Sequence, residues 1–461
     1  MTTPQEIVER ALEASSSLGC VVIARSRSVA NLRWARNTLT TNGETVADSV
    51  SVIALVAVEG GVAAGSVTAS APTAESVVEL VRAAEAAALE SGAAEDARDL
   101  PAEIPTSPDW SDVPRLVTSS AFVDVAPALG DVFAGARADG IEHFGYAEES
   151  AVTTYLGTST GTRLRFTGTE GRLELTAKSH GRTRSAWAGR AGRTLGGLDP
   201  HEADAELRRG LGWQANAVEI APGRHTALLS PSAAADLVID LYWSSVARDA
   251  HEGRSVWSKP GGGTRVGEVV VDPRVHLHSD PQAPGLEGGD FVAVTGSSSS
   301  GSVFDNGLPL GPVDWISDGV LQRLISTRHT AELTGLPFSP GVENLRLDVE
   351  GGHGSLEDVI ARTDDGLLVT CLWYNRVVDP QTLLLTGLTR DGVYVVRGGE
   401  VVGAATNFRF NDSPVGVLGR ILDAGSTVPT LAREMGDYFN RAALPPLLVR
   451  DFNFSTVSQA S

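Results

Sequence analysis

The hydrophobic and polar positions of the first hundred residues predict two helices with strands between them. A capping box of Thr3 and Glu6 predicts that a helix begins there, because each side chain can bond a free backbone N–H of the first turn. Apolar runs typical of β-strands follow, and Gly60 and Gly61 fit the tight turn of a hairpin. Helical spacing of apolar residues then returns and ends at Gly92.

The pattern changes twice more along the chain. Residues 93–112 are rich in proline, alanine and acidic residues, which predicts a connector. A helix near 121–139, alternating strands and a polar helix at 201–216 are predicted next. Beyond residue 220, a strongly apolar helix at 232–250 is followed by short strands with Gly, Pro and Asp turns, which indicates a curled antiparallel sheet or barrel.

These elements predict an α+β fold in which N-terminal helix and antiparallel-sheet modules precede a large β-rich C-terminal domain with a curled antiparallel sheet or barrel. A length of 461 residues also exceeds that of one ordinary domain. We therefore expect an N-terminal α/β module with its linker at 1–110, a middle α/β module at 111–219 and the β-rich C-terminal domain at 220–461.

The composition of the chain indicates which partners it can bind and in which cellular compartment it is expected. A net charge of −20 argues against nucleic-acid binding, which needs Lys and Arg surfaces. The N-terminus lacks the pattern of a signal peptide and no apolar run is long enough for a membrane-spanning helix, so we expect a cytoplasmic protein without a membrane partner. Cys20 and Cys371 lie in apolar runs, which predicts buried free thiols.

The His251-Glu252 pair raises the question of a zinc-peptidase motif. Such a motif needs a second histidine on the same helical face, but Ser255 and Val256 stand where that histidine would fall. The residues that follow resemble a helix exit more than a helix interior. We therefore interpret His251 as an exposed histidine at a helix end.

A second pair of histidines, His276 and His278, alternates on a predicted strand, so both side chains face the same side. A zinc site there would need a third ligand, such as Asp280 or His251. A half-exposed strand face is the simpler interpretation. We assign no catalytic residue and no metal ligand in this chain.

An apolar stretch of the C-terminal half contains four residues that are candidates for a peptide groove or an interface: Trp373, Tyr374, Asn375 and Arg376. Aromatic and polar groups within so apolar a run are typical of a groove wall that also forms hydrogen bonds. The alternative is a core aromatic pair with Arg376 paired to Asp379. An unpaired sheet edge in this region could also accept an extended peptide by strand addition.

Five segments of the C-terminal half share an order and spacing with a known family. They are "LLSPSAAADLVIDLYWSSVARDAHEGRSVWSKPGGGTRVGE" (228–268), "SVFDNGLPL" (302–310), "TGLPFSPGVENLRL" (334–347), "LLVTCLWYNRVVDPQTLLLTGLTRDGVYVVRGGEVVGAATNFRFNDSP" (367–414) and "PPLLVRDFNFSTVSQAS" (445–461). With these segments the chain resembles the TldD/PmbA family, the modulator of DNA gyrase type. The stretch "RSRSVANLRWARNTLTTNG" fits the family's first domain, and the resemblance is weakest in the middle module.

The resemblance implies one of two kinds of subunit. The TldD-like kind carries HExxxH on the helix after the LLSP-type strand and a cysteine near the C-terminus, and these residues hold zinc. In this chain the corresponding helix, 231–250, contains no histidine, and the corresponding region, 422–439, contains no cysteine. The chain therefore resembles the TldE/PmbA-like kind, which lacks the zinc motif.

That resemblance implies a metal-free subunit of a TldD–TldE-type cytoplasmic metalloprotease complex that degrades or matures unfolded peptides. Zinc is then expected in a TldD-like partner and not in this chain, within a hetero-oligomer or, alternatively, a homodimer. Two other functions stay open. One is a stand-alone metallopeptidase with an unusual metal site formed by His276, His278 and a carboxylate such as Asp280. The other is a non-catalytic peptide-binding or scaffold protein.

Overall fold

A computed structural model describes residues 3–458. The N-terminal part of the chain forms an antiparallel sheet, which we call the first sheet. The strands of this sheet are β1 (Gly19–Ala35), β2 (Thr38–Val58), β3 (Gly61–Ser70), β4 (Glu142–Thr158), β5 (Arg163–Ser179) and β6 (Arg184–Gly192). They lie in the order β3, β2, β1, β4, β5 and β6, so one sheet joins strands from before and after the connector. The predicted domain division stays a prediction, and its first boundary falls within this sheet.

Helices cover one face of the first sheet. They are α1 (Pro4–Ala14), α2 (Ser76–Ser91), α3 (Val125–Ala138) and α4 (Pro200–Trp213). These helices pack on alternate residues of β1, such as Val22, Leu32 and Trp34, because successive side chains of a strand point to opposite faces. On the other face, Ile23 packs with Phe291 of the C-terminal half. The first sheet thus has a helix-covered face and a face turned toward the C-terminal half.

The C-terminal half contains two further sheets that are largely antiparallel. Their strands are β7 (Gly223–Leu229), β8 (Val275–Ser279), β9 (Val313–Ser317), β10 (Val320–Leu321), β11 (Leu345–Val349), β12 (Asp365–Val369), β13 (Leu372–Asp379), β14 (Leu384–Thr389), β15 (Val393–Arg397), β16 (Glu400–Ala404), β17 (Phe408–Asp412), β18 (Ile421–Ala424), β19 (Val428–Thr430), β20 (Ala442–Leu444) and β21 (Leu447–Val457). The second sheet has the order β10, β9, β8, β11, β20 and β19. The third runs β13, β14, β17, β21, β7, β12, β15 and β16, with β18 paired to β21. The predicted α+β class with a curled antiparallel sheet is confirmed.

The remaining helices are α5 (Pro231–Trp243), α6 (Ala247–His251), α7 (Arg328–Thr334), α8 (Leu356–Arg362) and α9 (Pro414–Leu418). The prediction of one continuous helix at 232–250 is wrong in its second half. Helix α5 ends at Trp243, and a separate short helix, α6, begins at Ala247. Ser245 Oγ donates to the Leu241 carbonyl oxygen (2.8 Å), and Val246 forms a β-bridge with Ile325. The chain therefore leaves the helix to pair with a distant segment. No helix in the described part of the chain has the length and apolarity that a membrane crossing requires.

Of two hairpin turns in the first sheet, one was predicted from the sequence and the other was not. The predicted turn at Gly60 and Gly61 is confirmed, with φ values of 94° and 149°. The turn between β1 and β2 was not predicted, and it holds Arg36 and Asn37 in left-handed conformations with φ of 52° and 59°. The Asn37 side chain donates to the carbonyl oxygen of residue 141 (2.7 Å) and accepts from the N–H of residue 143 (2.7 Å). This pair of hydrogen bonds fixes the turn against β4.

Candidate functional site

A cleft lies between the helix-free face of the first sheet and the C-terminal half. It contains two cavities of about 470 and 420 Å³ that share Glu170 of β5. Glu170 accepts a hydrogen bond from Asn440 (2.6 Å) and pairs with Arg441 (2.9 Å), which ties the first sheet to the segment before β20. We call the larger one the apolar cavity and the smaller one the polar cavity.

The surface of the apolar cavity is mostly nonpolar, although charged and hydroxyl side chains also line it. Val152 and Phe166 line it from the first sheet, and Phe291 and Leu310 line it from the C-terminal half. Arg25 adds a cationic group, which donates to the carbonyl oxygen of residue 293 (2.9 Å). A concave and mostly apolar space with a few polar groups is typical of a ligand-binding site.

The polar cavity is built around an arginine held between two indole rings. The Arg433 guanidinium lies 4.7 Å from the ring centre of Trp187 and 5.1 Å from that of Trp373. It also donates to Glu174 Oε2 (3.1 Å). Because Trp187 and Glu174 belong to the first sheet and Trp373 to the third, Arg433 joins the two walls of the cleft. Stacking and a charge-assisted hydrogen bond together fix the orientation of this group.

Strand β13 carries the four residues that were predicted to form a peptide groove or an interface. Trp373 is half-buried and lines the polar cavity, whereas Tyr374 is 56% exposed. Asn375 is buried, and Arg376 is exposed and donates to Glu434 (2.8 Å). The structure thus brings Trp373 to the cavity wall and Arg376 to the 431–437 loop. Their role in peptide binding stays a prediction.

Helix α5 places two carboxyl groups beside the 431–437 loop. The Asp236 carboxyl accepts hydrogen bonds from the backbone N–H groups of residues 433, 434 and 435 (3.3, 3.0 and 3.1 Å). Burial raises the pKa of Asp236 to about 8, even though these N–H donors favour the ionised form. Burial, together with the charge of Glu434, raises the pKa of Asp240 to about 7. Both groups therefore titrate near neutral pH.

Sequence reasoning missed the residues that hold this site together. Asp236 and Asp240 lie four positions apart in an otherwise apolar helix, which is a signal that one face of the helix meets polar groups. Arg433 and Glu174 have no such local signal, because each is one of many charged residues in its segment. Their contact is defined only by the approach of the 431–437 loop to the first sheet.

The C-terminal half matches a known family model. The PmbA/TldA metallopeptidase C-terminal domain fits residues 222–456. The chain belongs to the PmbA/TldD family. No curated protein matches the chain.

Solved structures show the same fold over almost the whole of this PmbA/TldD family member. TldE from Thermococcus kodakarensis aligns with a TM-score of 0.76 at 15% identity, covering 97% of this chain and 99% of that one. A Thermotoga maritima protein described as a candidate modulator of a DNA gyrase aligns at 0.75 and 15% identity, with the same coverage. A Bacteroides thetaiotaomicron protein with a similar description aligns at 0.74 and 14% identity, covering 98% of each chain. At such identities the likeness establishes the fold.

In this PmbA/TldD family member, the helix and loop at which the resemblance places zinc ligands hold a different set of groups. Both carboxyl oxygens of Asp236 accept backbone N–H donors, and the Arg433 guanidinium adds a positive charge beside the same loop. A zinc site needs several free imidazole, thiolate or carboxylate donors. These residues therefore do not fit a zinc ion bound in the manner of the TldD-like kind.

The His251-Glu252 pair ends a helix, as the sequence predicts. His251 is the exposed last residue of α6, and Glu252 is the residue at which the helix terminates. The Glu252 carboxylate pairs with the guanidinium groups of Arg248 and Arg254. It is therefore part of a surface ion-pair cluster.

The second pair of histidines lies on β8 with carboxylates as partners. His276 Nε2 lies 3.5 Å from Asp318 Oδ1, and His278 Nε2 lies 3.1 Å from Asp348 Oδ2. Asp280, one of the two third ligands considered, accepts a hydrogen bond from the N–H of residue 282 (2.9 Å). Each of the three side chains thus has its own partner. Within residues 3–458, no three His, Cys, Asp or Glu side chains are grouped as a metal-binding set.

Proposed function

We propose that this chain is a TldE/PmbA-like, metal-free subunit of a TldD–TldE-type metalloprotease complex in the cytoplasm. In this proposal a TldD-like partner holds the zinc ion and cleaves unfolded peptides, and this chain helps to enclose and align them. The observation that carries the proposal is the use of Asp236 and Arg433 as structural groups. Asp236 binds the 431–437 loop, and Arg433 joins the two walls of the cleft. Because both groups are used in this way, they support a peptide-binding role for this chain rather than hydrolysis.

The shape of the cleft supports peptide alignment. Its two cavities adjoin at Glu170, one largely apolar and one polar, so an extended chain could place different side chains in each. Strand β13 is the first strand of the third sheet and carries Trp373 at the polar cavity. An edge strand beside a cleft can accept a peptide by strand addition, which fixes the peptide backbone and reads few side chains.

The arrangement of β13 limits where such a strand could pair. The Asn375 N–H already donates to Glu434 Oε2 (2.9 Å), and the pairing with β14 is irregular between Trp373 and Arg376. An added peptide would therefore bond the outer side of β13 only beyond this irregularity. We therefore infer that only a short part of the peptide backbone pairs with β13. The walls of the two cavities make the remaining contacts with the peptide.

The proposal is tested by purifying this chain alone and together with a TldD-like zinc subunit from the same organism. We expect the two chains to elute together from a size-exclusion column. Only the mixture should cleave an unfolded casein-like substrate, and a zinc chelator should abolish the cleavage. Cleavage by this chain alone would contradict the proposal. Failure to co-elute, with no effect on the partner's activity, would favour the scaffold alternative.

A further inference from the structure

A basic pocket lies at one end of the first sheet, next to the β1–β2 and β5–β6 hairpin turns. Its cavity measures about 490 Å³, and the cationic side chains of Arg36, Arg137, Lys178 and Arg182 line it. Glu142 is the single carboxylate among the described residues of this lining. In a chain with a net charge of −20, such a concentration of positive charge is a local exception.

The contacts inside the basic pocket leave most of its positive charge uncompensated. Glu142 pairs with Arg182 (2.7 Å) and lies 3.7 Å from Arg36. Arg137 donates to a backbone carbonyl oxygen of the β1–β2 turn (2.7 Å). Lys178 has no ion pair or hydrogen bond within residues 3–458. Arg137 and Lys178 therefore form no ion pair within residues 3–458, and the single negative charge of Glu142 faces four cations.

The backbone that carries Arg36 and Arg182 is fixed by two hairpin turns. Arg36 and Asn37 form the β1–β2 turn, which the two hydrogen bonds of the Asn37 side chain tie to β4. The β5–β6 turn holds His180 and Arg182 in left-handed conformations with φ of 52° and 72°. Because these turns are short, the basic side chains project from defined positions, which lowers the entropy cost of binding a ligand.

Residues of β4 that point to one face of the first sheet lie at both the basic pocket and the polar cavity, although the two cavities share no lining residue within residues 3–458. Glu142 and Tyr146 are four positions apart on β4, so their side chains lie on the same face, and Tyr146 lines the polar cavity. Phe144 lies between them, with the Arg182 guanidinium 5.5 Å from its ring centre. The four positions from Glu142 to Tyr146 span about 13 Å along the strand, a distance that about four residues of an extended peptide can cover.

We propose that the basic pocket anchors an acidic segment of the peptide that occupies the cleft. This inference rests on the proposed function, because the peptide is the ligand. The cavity is much larger than one phosphate ion, and its cations are spread over two hairpins and helix α3, which favours several carboxylates on an extended chain. The overall negative charge of the protein repels acidic peptides, and the local concentration of cations offsets this repulsion at the basic pocket.

The test uses three fluorescent versions of one unfolded peptide that differ in a terminal block of Asp, Asn or Lys residues. Fluorescence anisotropy with the full chain at low salt should give the tightest binding for the Asp version and the weakest for the Lys version. In a Lys178→Gln/Arg137→Gln double variant, the Kd of the Asp version should rise about tenfold, because two favourable charge interactions are lost. The Kd of the Asn version should not change.

The matched control neutralises two exposed arginines elsewhere, Arg10 of α1 and Arg397 of β15, by the same substitution to Gln. This control should leave the preference for the Asp version intact. Lys178→Gln alone, which removes no hydrogen bond or ion pair, is measured as well and should raise the Kd of the Asp version. Circular dichroism of each variant shows whether it keeps the fold.

The outcomes separate this inference from the proposed function. Equal Kd values for the Asp and Asn versions, or an equal loss in the control variant, would overturn the anchoring role while peptide binding itself stood. No binding of any version would overturn both. Displacement of the Asp version by inorganic phosphate beyond that by chloride of equal ionic strength would show a small-anion site and overturn the acidic-peptide assignment.

Discussion

Burial decides the charge state of the two acidic side chains on α5. The pKa of Asp236 is raised to about 8 and that of Asp240 to about 7. Between the ordinary pKa of an aspartate and these raised values, the folded chain holds protons that the unfolded chain has released. The contribution to stability is therefore complete at acidic pH and is lost as the pH rises through the raised pKa values. Raising the pH should lower the free energy of unfolding.

We expect an Asp240→Asn variant to lose less stability at alkaline pH than the wild-type chain. Asp240 Oδ2 is buried and has no hydrogen-bond partner among residues 3–458, so its ionised form is poorly accommodated. The Tm of the wild-type chain should fall from about pH 5 to about pH 8, and that of the variant should fall less. Melting curves at both pH values make the comparison. Identical pH dependence in the two proteins would contradict the assignment of this titration to Asp240.

Trp373 should matter more for peptide binding than for stability. Its ring is half-buried, stacks on Arg433 and lines the polar cavity. We expect Trp373→Ala to raise the Kd for an unfolded peptide by about tenfold, as loss of a buried aromatic anchor commonly does. The free energy of unfolding should fall by only about 1–2 kcal/mol, because part of the ring is already exposed.

The control for this substitution is His251→Ala, at the exposed end of α6. It should change neither peptide affinity nor the free energy of unfolding by more than about 0.5 kcal/mol. Anisotropy and urea denaturation measure the two quantities. An unchanged affinity with a lower free energy of unfolding in Trp373→Ala would give Trp373 a purely structural role.

Helix α2 lies unusually close to strand β3, and a glycine makes this approach possible. A Cβ atom at Gly65 would lie 2.2 Å from the backbone nitrogen of Ala88 and 2.3 Å from the carbonyl oxygen of Ala84. Neither backbone atom can move without shifting the helix. A Cβ atom at Gly43, on the exposed part of β2, would meet nothing within 4 Å.

These two glycines form a matched pair for mutation. We expect Gly65→Ala to lower the free energy of unfolding by about 3 kcal/mol, because the helix must separate from the strand. Gly43→Ala should change it by less than about 1 kcal/mol, with a gain expected from the reduced entropy of the unfolded chain. Urea denaturation of both variants checks the difference. Similar losses in the two would show that α2 can shift at little cost.

Helices with strong local signals could be predicted from the sequence, and breaks caused by distant contacts could not. The capping box of Thr3 and Glu6 is present, and the helix of 201–216 is found at Pro200–Trp213. The break between α5 and α6 depends on a β-bridge to Ile325, which no pattern near residue 245 reveals. The β1–β2 turn likewise depends on Asn37 bonding to residues more than a hundred positions away.

The cleft is assembled from parts of the chain that lie far apart. Glu174 and Trp187 come from β5 and β6, Trp373 from β13, and Arg433 from the 431–437 loop. Local composition marked Trp373 as a candidate, because an aromatic and polar cluster inside an apolar run is unusual. The contacts among Glu174, Trp187, Trp373 and Arg433 could not be predicted, because they depend on how the first sheet packs against the third.

The metal-free assignment is the claim on which the proposed division of labour depends. The groups of the α5 helix and the 431–437 loop support this proposal, because Asp236 binds backbone N–H groups there and Arg433 supplies a cation. The most direct measurement is the zinc content of the isolated chain, purified from cells grown with zinc and assayed for peptide hydrolysis in the same preparation. We expect far less than one zinc ion per chain and no hydrolysis. One zinc ion per chain, with hydrolysis that a chelator abolishes, would contradict the assignment.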